Sequence, residues 1–169
     1  RRGTRVSHPP LGVARVQAGV ELIVWGPRYQ AAAGAPVVQA ADPVRSVNDN
    51  SLVVEVRYRG RALLFTGDLE AEGERDLVDA GVAPVDVVKV AHHGSPTSSL
   101  PALVEATRPA LAVISCGRAN RYGFPASAVV ARWRAGGAEI ARTDLDGAIT
   151  VRVDAAGGLA VERFAPAEP

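Results

Sequence analysis

Residues 85–117 read VDVVKVAHHGSPTSSLPALVEATRPALAVISCG. Two short apolar runs, VDVVKVA and ALAVISCG, flank a polar loop and a segment with helical spacing, SSLPALVEATR. Near-continuous apolar runs of this length mark strands buried on both faces. Pro101 suits a first helical turn, with Ser98 or Ser99 as its cap. Strand, helix and strand in that order make a parallel crossover unit. The stretch therefore predicts an α/β fold, and two histidines stand side by side where its first strand ends.

The neighbouring segments extend the pattern. Upstream, SLVVEVRYRGRALLFTGD reads as a hairpin, Leu52 to Tyr58 out and Ala62 to Thr66 back, turning at Arg59-Gly60. LEAEGERDLVDAG is a helix with acids in its first turns and Gly81 at its end. Further back, ARVQA and VELIVWG are short strands around Gly19. Residues 30–49 are read as a loop, Ala-rich and then polar. Downstream, ASAVVARWRAGG is a helix closing on Gly136-Gly137. The tail gives three short strands split at Asp146-Gly147 and Gly157-Gly158. The sum is a mixed sheet with helices packed on it.

Composition bounds the function. The chain has 169 residues, 47% of them hydrophobic, and a net charge of +1. That is a globular balance, with no bulk basic field to announce nucleic acid. No apolar run reaches the length of a membrane-spanning helix. One cysteine, Cys116, rules out an internal disulfide and any multi-cysteine zinc site; it reads as a small buried residue at a strand end. The first residue is Arg and there is no Met, which suggests a processed chain or a piece of a longer one.

Three strand ends carry the chemistry. FTGD ends on Asp68, KVAHHGS on His92 and His93, and ISCGRANRYGFP carries Arg118, Asn120, Arg121 and Tyr122. Sites in open α/β sheets form where strands end and loops leave for the helices. If these strands are neighbours, the three ends converge. A carboxylate and an imidazole suit a divalent transition metal, Mn or Zn, and Gly67 lets the backbone turn sharply before Asp68. One histidine ring is expected to face the site while the other packs or orients a neighbour. Spacing alone fits equally a buried, hydrogen-bonded histidine beside an exposed one, and Asp68 fits equally a helix cap. Ser95, Thr97, Ser98 and Ser99 suit a phosphate at a helix N-terminus, or simple loop and cap chemistry. DLDG, Asp144 to Gly147, resembles the start of a calcium loop, but the closing acid would fall on Ala155, so it reads as a hairpin turn. His8, beside Pro9-Pro10, reads as a surface residue.

NDNSLVVEVRYRGRALLFTGDLE, VDVVKVAHHGSPTSS, ALAVISCGRANRYGFP and RTDLDGAI together resemble, in this order, the second half of the metallo-β-lactamase-like domain of ComEC proteins, the membrane channel proteins of DNA uptake in natural competence. The likeness runs from about Val20 to Val153. It implies an αββα fold of two similar halves, with residues 1–169 forming one partial domain, the C-terminal half. It implies a two-metal phosphodiesterase acting on single-stranded DNA, joined to a membrane channel domain of the same polypeptide. The place implied is a soluble, extracytoplasmic part of a bacterial membrane protein.

Asp68 matches the family's acidic ligand. His92 and His93 match its HHGS element as ligands or catalytic groups. Asn120, Tyr122 and Gly123 match the next loop. Ser95, Thr97, Ser98, Asn120 and Arg121 are the expected substrate contacts.

Two departures stand out. The family's H-x-H-x-D-H motif is nowhere in these residues, and Phe124 stands where the family loop carries histidine. The chain alone is therefore expected to be inactive or nearly so, the divalent metal belonging to the intact domain. The alternative is a metal-free structural or DNA-guiding module of a DNA-uptake transporter. An apolar face left without its partner half is expected to make the isolated chain self-associate.

Overall fold

The computed structural model describes residues 9–28 and 44–164. His8 and residues 30–43 of the expected loop lie outside them. The rest of that loop is a turn leading into a short 3₁₀ segment, Asn48–Asn50.

Four strands form an antiparallel meander: β1 (Ala14–Gln17), β2 (Val20–Gly26), β3 (Val53–Tyr58) and β4 (Arg61–Phe65). Three parallel strands continue the same sheet: β5 (Val87–Lys89), β6 (Leu111–Ile114) and β7 (Glu139–Arg142). The order is β1-β2-β3-β4-β5-β6-β7. Helices α1 (Ala71–Asp79), α2 (Pro101–Thr107) and α3 (Ser127–Ala135) are the crossovers. A parallel connection needs such a helix, because the chain must return to the same sheet edge before the next strand. Leu63, Val87 and Leu111 lie in one register row, and Phe65, Lys89 and Val113 in another.

Successive residues of β5 serve different cores. Val88 joins the main core, with Leu77 of α1, Leu103 and Val104 of α2, and Val129, Val130 and Trp133 of α3. Val87 faces the opposite side, with Leu111 and Ala141. There β8 (Ala148–Val153) and β9 (Leu159–Phe164) pair as a separate antiparallel hairpin, and Ile149, Val151, Leu159 and Val161 cover the sheet. The expected two-sided burial of this strand is thus met. On the same face Leu22 and Phe65 remain exposed, at 37% and 45%. The hairpin leaves the β2–β4 part of that face partly open.

Three local expectations are corrected. The strand after Val85 is shorter than predicted, because Ala91–Gly94 tighten into a 3₁₀ turn. Neither Ser98 nor Ser99 caps α2: the helix is entered from Leu100 without a side-chain cap. DLDG is not a hairpin turn. Thr143–Asp146 form one helical turn, α4, that carries the chain from the large sheet to the small one. Asp146 accepts a hydrogen bond from the Arg142 amide at 2.7 Å, and the Thr143 hydroxyl binds both Cys116 N and Cys116 O, which pins that turn against β6.

Candidate metal centre at three strand ends

β4, β5 and β6 are adjacent and parallel, so their C-terminal ends meet. Asp68, His92, His93, Cys116, Gly117, Asn120, Tyr122 and Phe124 line one open cleft there, of about 460 Å³.

Asp68 leaves β4 through Gly67, whose φ is +58°. A Cβ on Gly67 would sit 2.6 Å from Ser51 Cβ, so only glycine fits. The Ser51 hydroxyl then accepts from Asp68 N at 2.9 Å. Asp68 does not cap α1. That role falls to buried Asp49, which accepts from Glu70 N at 3.0 Å and Gly73 N at 2.8 Å. Asp68 is left free to face the cleft.

The histidines are not on a strand. His92 and His93 have φ of 47° and 55°, and Gly94 follows at 79°. Left-handed backbone costs on the order of 1 kcal/mol at each non-glycine residue, so tertiary packing holds this turn. Gly94 abuts Pro125, where a Cβ would come within 2.5 Å.

The turn aims the two rings differently. His93 Nδ1 lies 2.7 Å from Ser115 O. A carbonyl oxygen only accepts, so Nδ1 carries a proton; in the neutral ring the lone pair is then on Nε2, which faces Asp68 Oδ1 3.6 Å away. That gap is too long for a hydrogen bond. His92 Nδ1 faces Glu70 Oε1 at 3.4 Å, and Thr97 Oγ1 donates to the same oxygen at 2.9 Å. The His92 ring meets the Phe124 ring edge-on.

Lys89 completes the ground around Asp68. Its Nζ donates to Gly67 O at 2.8 Å and lies 3.7 Å from Asp68 Oδ1. Burial pulls the ammonium below its usual value, and the Asp68 carboxylate opposes that. Cys116 also borders the cleft. Burial first, then Asp144, push its thiol up to about 11, so it stands protonated at neutral pH.

A carboxylate and an imidazole with facing lone pairs are the donor chemistry of a divalent transition metal. Among the described residues, however, no group of three His, Cys, Asp or Glu side chains is placed to hold an ion. Asp68 and His93 are two donors and do not make a metal centre by themselves.

The expected substrate contacts divide. Ser95 and Ser98 are buried away from the cleft, and Ser98 Oγ donates to Ala91 O and Ser95 O. Thr97 turns to Glu70. Ser99, also expected near a phosphate, is turned inward: Glu74 accepts from Ser99 N and Leu100 N at 2.6 Å each, which takes up the amides before α2. Asn120 lines the cleft, but its amide holds its own loop, bonded to Gly117 O, Phe124 O and Phe124 N. Arg121 is exposed and lies over the Tyr122 ring.

Sequence reasoning missed Lys89, Glu70 and Glu74. Lys89 did carry a signal, as the one cation in an otherwise largely apolar run. Glu74 carried none, since an acid in a first helical turn is ordinary.

Comparison with known proteins places this arrangement. Residues 18–118 match the family described as the Metallo-beta-lactamase superfamily, and the chain belongs to that family. The mixed sheet with helices packed on it is consistent with such a fold. Within it, the relatives are ComEC-type proteins. The chain is 44% identical over 109 residues to "Competence protein ComA" of Neisseria gonorrhoeae, covering 62% of this chain and 16% of that protein. It is 38% identical over 117 residues to "ComE operon protein 3" of Bacillus subtilis, 68% of this chain and 15% of that one. It is 35% identical over 107 residues to "Recombination protein 2" of Haemophilus influenzae, 63% and 14%. The match thus spans about a sixth or less of each relative. No helix among the described residues is long and apolar enough to cross a membrane.

Proposed function

We propose that this chain is part of a ComEC-like phosphodiesterase domain, and that it contributes Asp68 and His93 to a divalent-metal site acting on DNA during uptake. The observation that carries the reading is that His93 Nε2 faces Asp68 Oδ1 in the cleft both residues line, 3.6 Å apart. Two electron-rich atoms so placed call for a cation. A divalent ion there would offset charge on phosphate oxygens. Mn or Zn fits the mixed N/O set. With two donors and no H-x-H-x-D-H motif, the chain alone has little or no activity.

The rival, a metal-free structural or DNA-guiding module, draws on two observations. Lys89 already places a cation beside Asp68, and Phe124 packs against His92 where a ligating histidine would stand in the family.

Titration with Mn²⁺ or Zn²⁺ separates them. The chain alone is expected to bind weakly, and Asp68→Ala or His93→Ala to abolish that binding. A polypeptide joining this chain to an H-x-H-x-D-H half of the same fold is expected to bind metal stoichiometrically and cleave single-stranded DNA. No metal and no cleavage in that polypeptide sink the enzyme reading.

The place we propose is an extracytoplasmic domain of a bacterial membrane protein, beside the channel domain of the same polypeptide. We also propose that the chain alone self-associates through the open part of the sheet face around Leu22 and Phe65. Light scattering should show dimers or larger species at micromolar concentration, and Leu22→Ser with Phe65→Ser should shift them toward monomer. A monomer in the unsubstituted chain refutes this.

A further inference from the structure

We propose that Glu70 is a positioning residue for His92: it keeps the ring's proton on Nδ1, so that neutral His92 meets the cleft with an acceptor at Nε2. The inference goes beyond the pair Asp68 and His93, and rests on the phosphodiesterase reading only for what Nε2 accepts from.

Glu70 stands where α1 begins, its own amide tied to Asp49 Oδ1 at 3.0 Å. Its carboxylate is anchored from two sides. Thr97 Oγ1 donates to Oε1 at 2.9 Å, and Ser46 Oγ shares its proton between Asp49 Oδ2, at 2.8 Å, and Glu70 Oε2, at 3.3 Å. His92 Nδ1 lies 3.4 Å from Glu70 Oε1 and 3.5 Å from Thr97 Oγ1.

Counting protons fixes the tautomer. Thr97 has one hydroxyl proton and gives it to Glu70. Toward Ser95 Oγ, 2.9 Å away, and toward His92 it can then only accept. An ionised carboxylate also only accepts. Nδ1 thus faces two acceptors and no donor, and carries the proton. Both gaps are longer than a closed hydrogen bond. The preference comes from a negative charge set against one nitrogen of the ring.

The other nitrogen has no bond among the described residues. The His92 side chain is 23% exposed and lines the cleft, whereas Glu70 does not line it. The carboxylate therefore orients the ring from outside the cleft. Phe124 meets the ring edge-on, and His92 N donates to Gly67 O at 3.2 Å, so the ring's base is fixed as well. The two histidines are held as the same tautomer by unlike acceptors, Ser115 O for His93 and Glu70 for His92. A neutral ring with its lone pair on Nε2 accepts from a water or a hydroxyl. It cannot donate to a phosphate oxygen, which also only accepts. In the phosphodiesterase reading, neutral His92 holds a water in the cleft and not the phosphate itself.

Nitrogen–proton correlation spectra of the ¹⁵N-labelled, metal-free chain at about pH 8.5, where a histidine of ordinary pKa is neutral, read the tautomers directly. His92→Gln and His93→Gln assign the signals among the three histidines. His92 is expected as the Nδ1–H form; the Nε2–H form in the unsubstituted chain overturns the proposal. Glu70→Gln should lower the ratio of Nδ1–H to Nε2–H at His92 on the order of tenfold, the size of a hydrogen bond to a charged group. Thr97→Val, which keeps the carboxylate, should leave Nδ1–H dominant. An unchanged ratio in Glu70→Gln overturns the proposal. An equal change at His93 makes Glu70 a general support of the turn and overturns it too. No metal, nucleic acid or turnover enters the measurement. Its failure leaves the phosphodiesterase standing, and a completed domain without metal or cleavage leaves the Glu70–His92 assignment standing.

Discussion

Glu74→Ala is expected to destabilise the chain by about 3 kcal/mol at pH 5, and by less at pH 8. Glu74 is fully buried, and its two oxygens accept from Ser99 N and Leu100 N. Alanine leaves both amides without an acceptor and opens a void between α1 and the loop that carries the histidines. The pH dependence follows from the carboxyl itself. Burial, ahead of the opposing backbone bonds and Arg132, pushes it up from 4.5 to about 7, with Asp49 adding to the rise. Between those values the folded chain keeps a proton that the unfolded chain has released. The stability Glu74 contributes is therefore full below about pH 4.5 and is lost as pH rises through 7. Urea melts of both proteins from pH 4.5 to 8 give the difference. A difference that grows with pH contradicts the assignment.

Trp133→Ala is expected to cost about 3–5 kcal/mol, the usual range for emptying an aromatic site in a packed core. Trp133 is the largest fully buried side chain, set among the residues that fasten α3 to the sheet. It also does something less general. Its Nε1 donates to Ser99 Oγ at 3.0 Å, while Glu74 holds Ser99 N and Arg132 holds Ser99 O. Ser99 sits at φ of 64°, a strained position for a side-chain-bearing residue. Three groups from two helices thus clamp one residue. Because they share it, Glu74→Ala and Trp133→Ala should fall short of additivity by about 1 kcal/mol in a double-mutant cycle. Simple additivity would mean that the two contacts act independently.

The clamp bears on function, because Ser99 closes the loop that starts at His92. The loop is also held by the Ser98 hydroxyl donating to Ala91 O and by Ala126 N donating to Gly94 O, and is backed by Pro125. Its left-handed turn at His92 and His93 is what sends one ring to Asp68 and the other to Glu70. The sequence reading expected such a division on the ground that strand residues alternate. The rings do take different partners, but both line the cleft, and strand alternation is not the cause: the strand ends at Lys89, and a turn splits them.

The substrate contacts were the least legible part. Serines and threonines before a helix look alike whether they greet a phosphate or tie a loop. Here the deciding residue is Glu74, 25 positions before Ser99, and nothing local to the loop announces it.

What the sequence by itself determined is what local pattern can encode. Period and run length placed the strands and helices. The continuous apolar run of β5 foretold its two cores, and Gly67 foretold the sharp turn before Asp68. What only the tertiary structure decided is adjacency. That β4, β5 and β6 lie side by side, that Lys89 reaches Asp68, that Asp49 takes the capping role from Asp68 and that Glu74 takes the amides before α2 are all contacts across about 20 residues or more. The physical reason is that a charged side chain has no fixed role of its own. Its role is set by the donor or acceptor that the fold brings opposite it once water is gone, and burial makes that partner decisive.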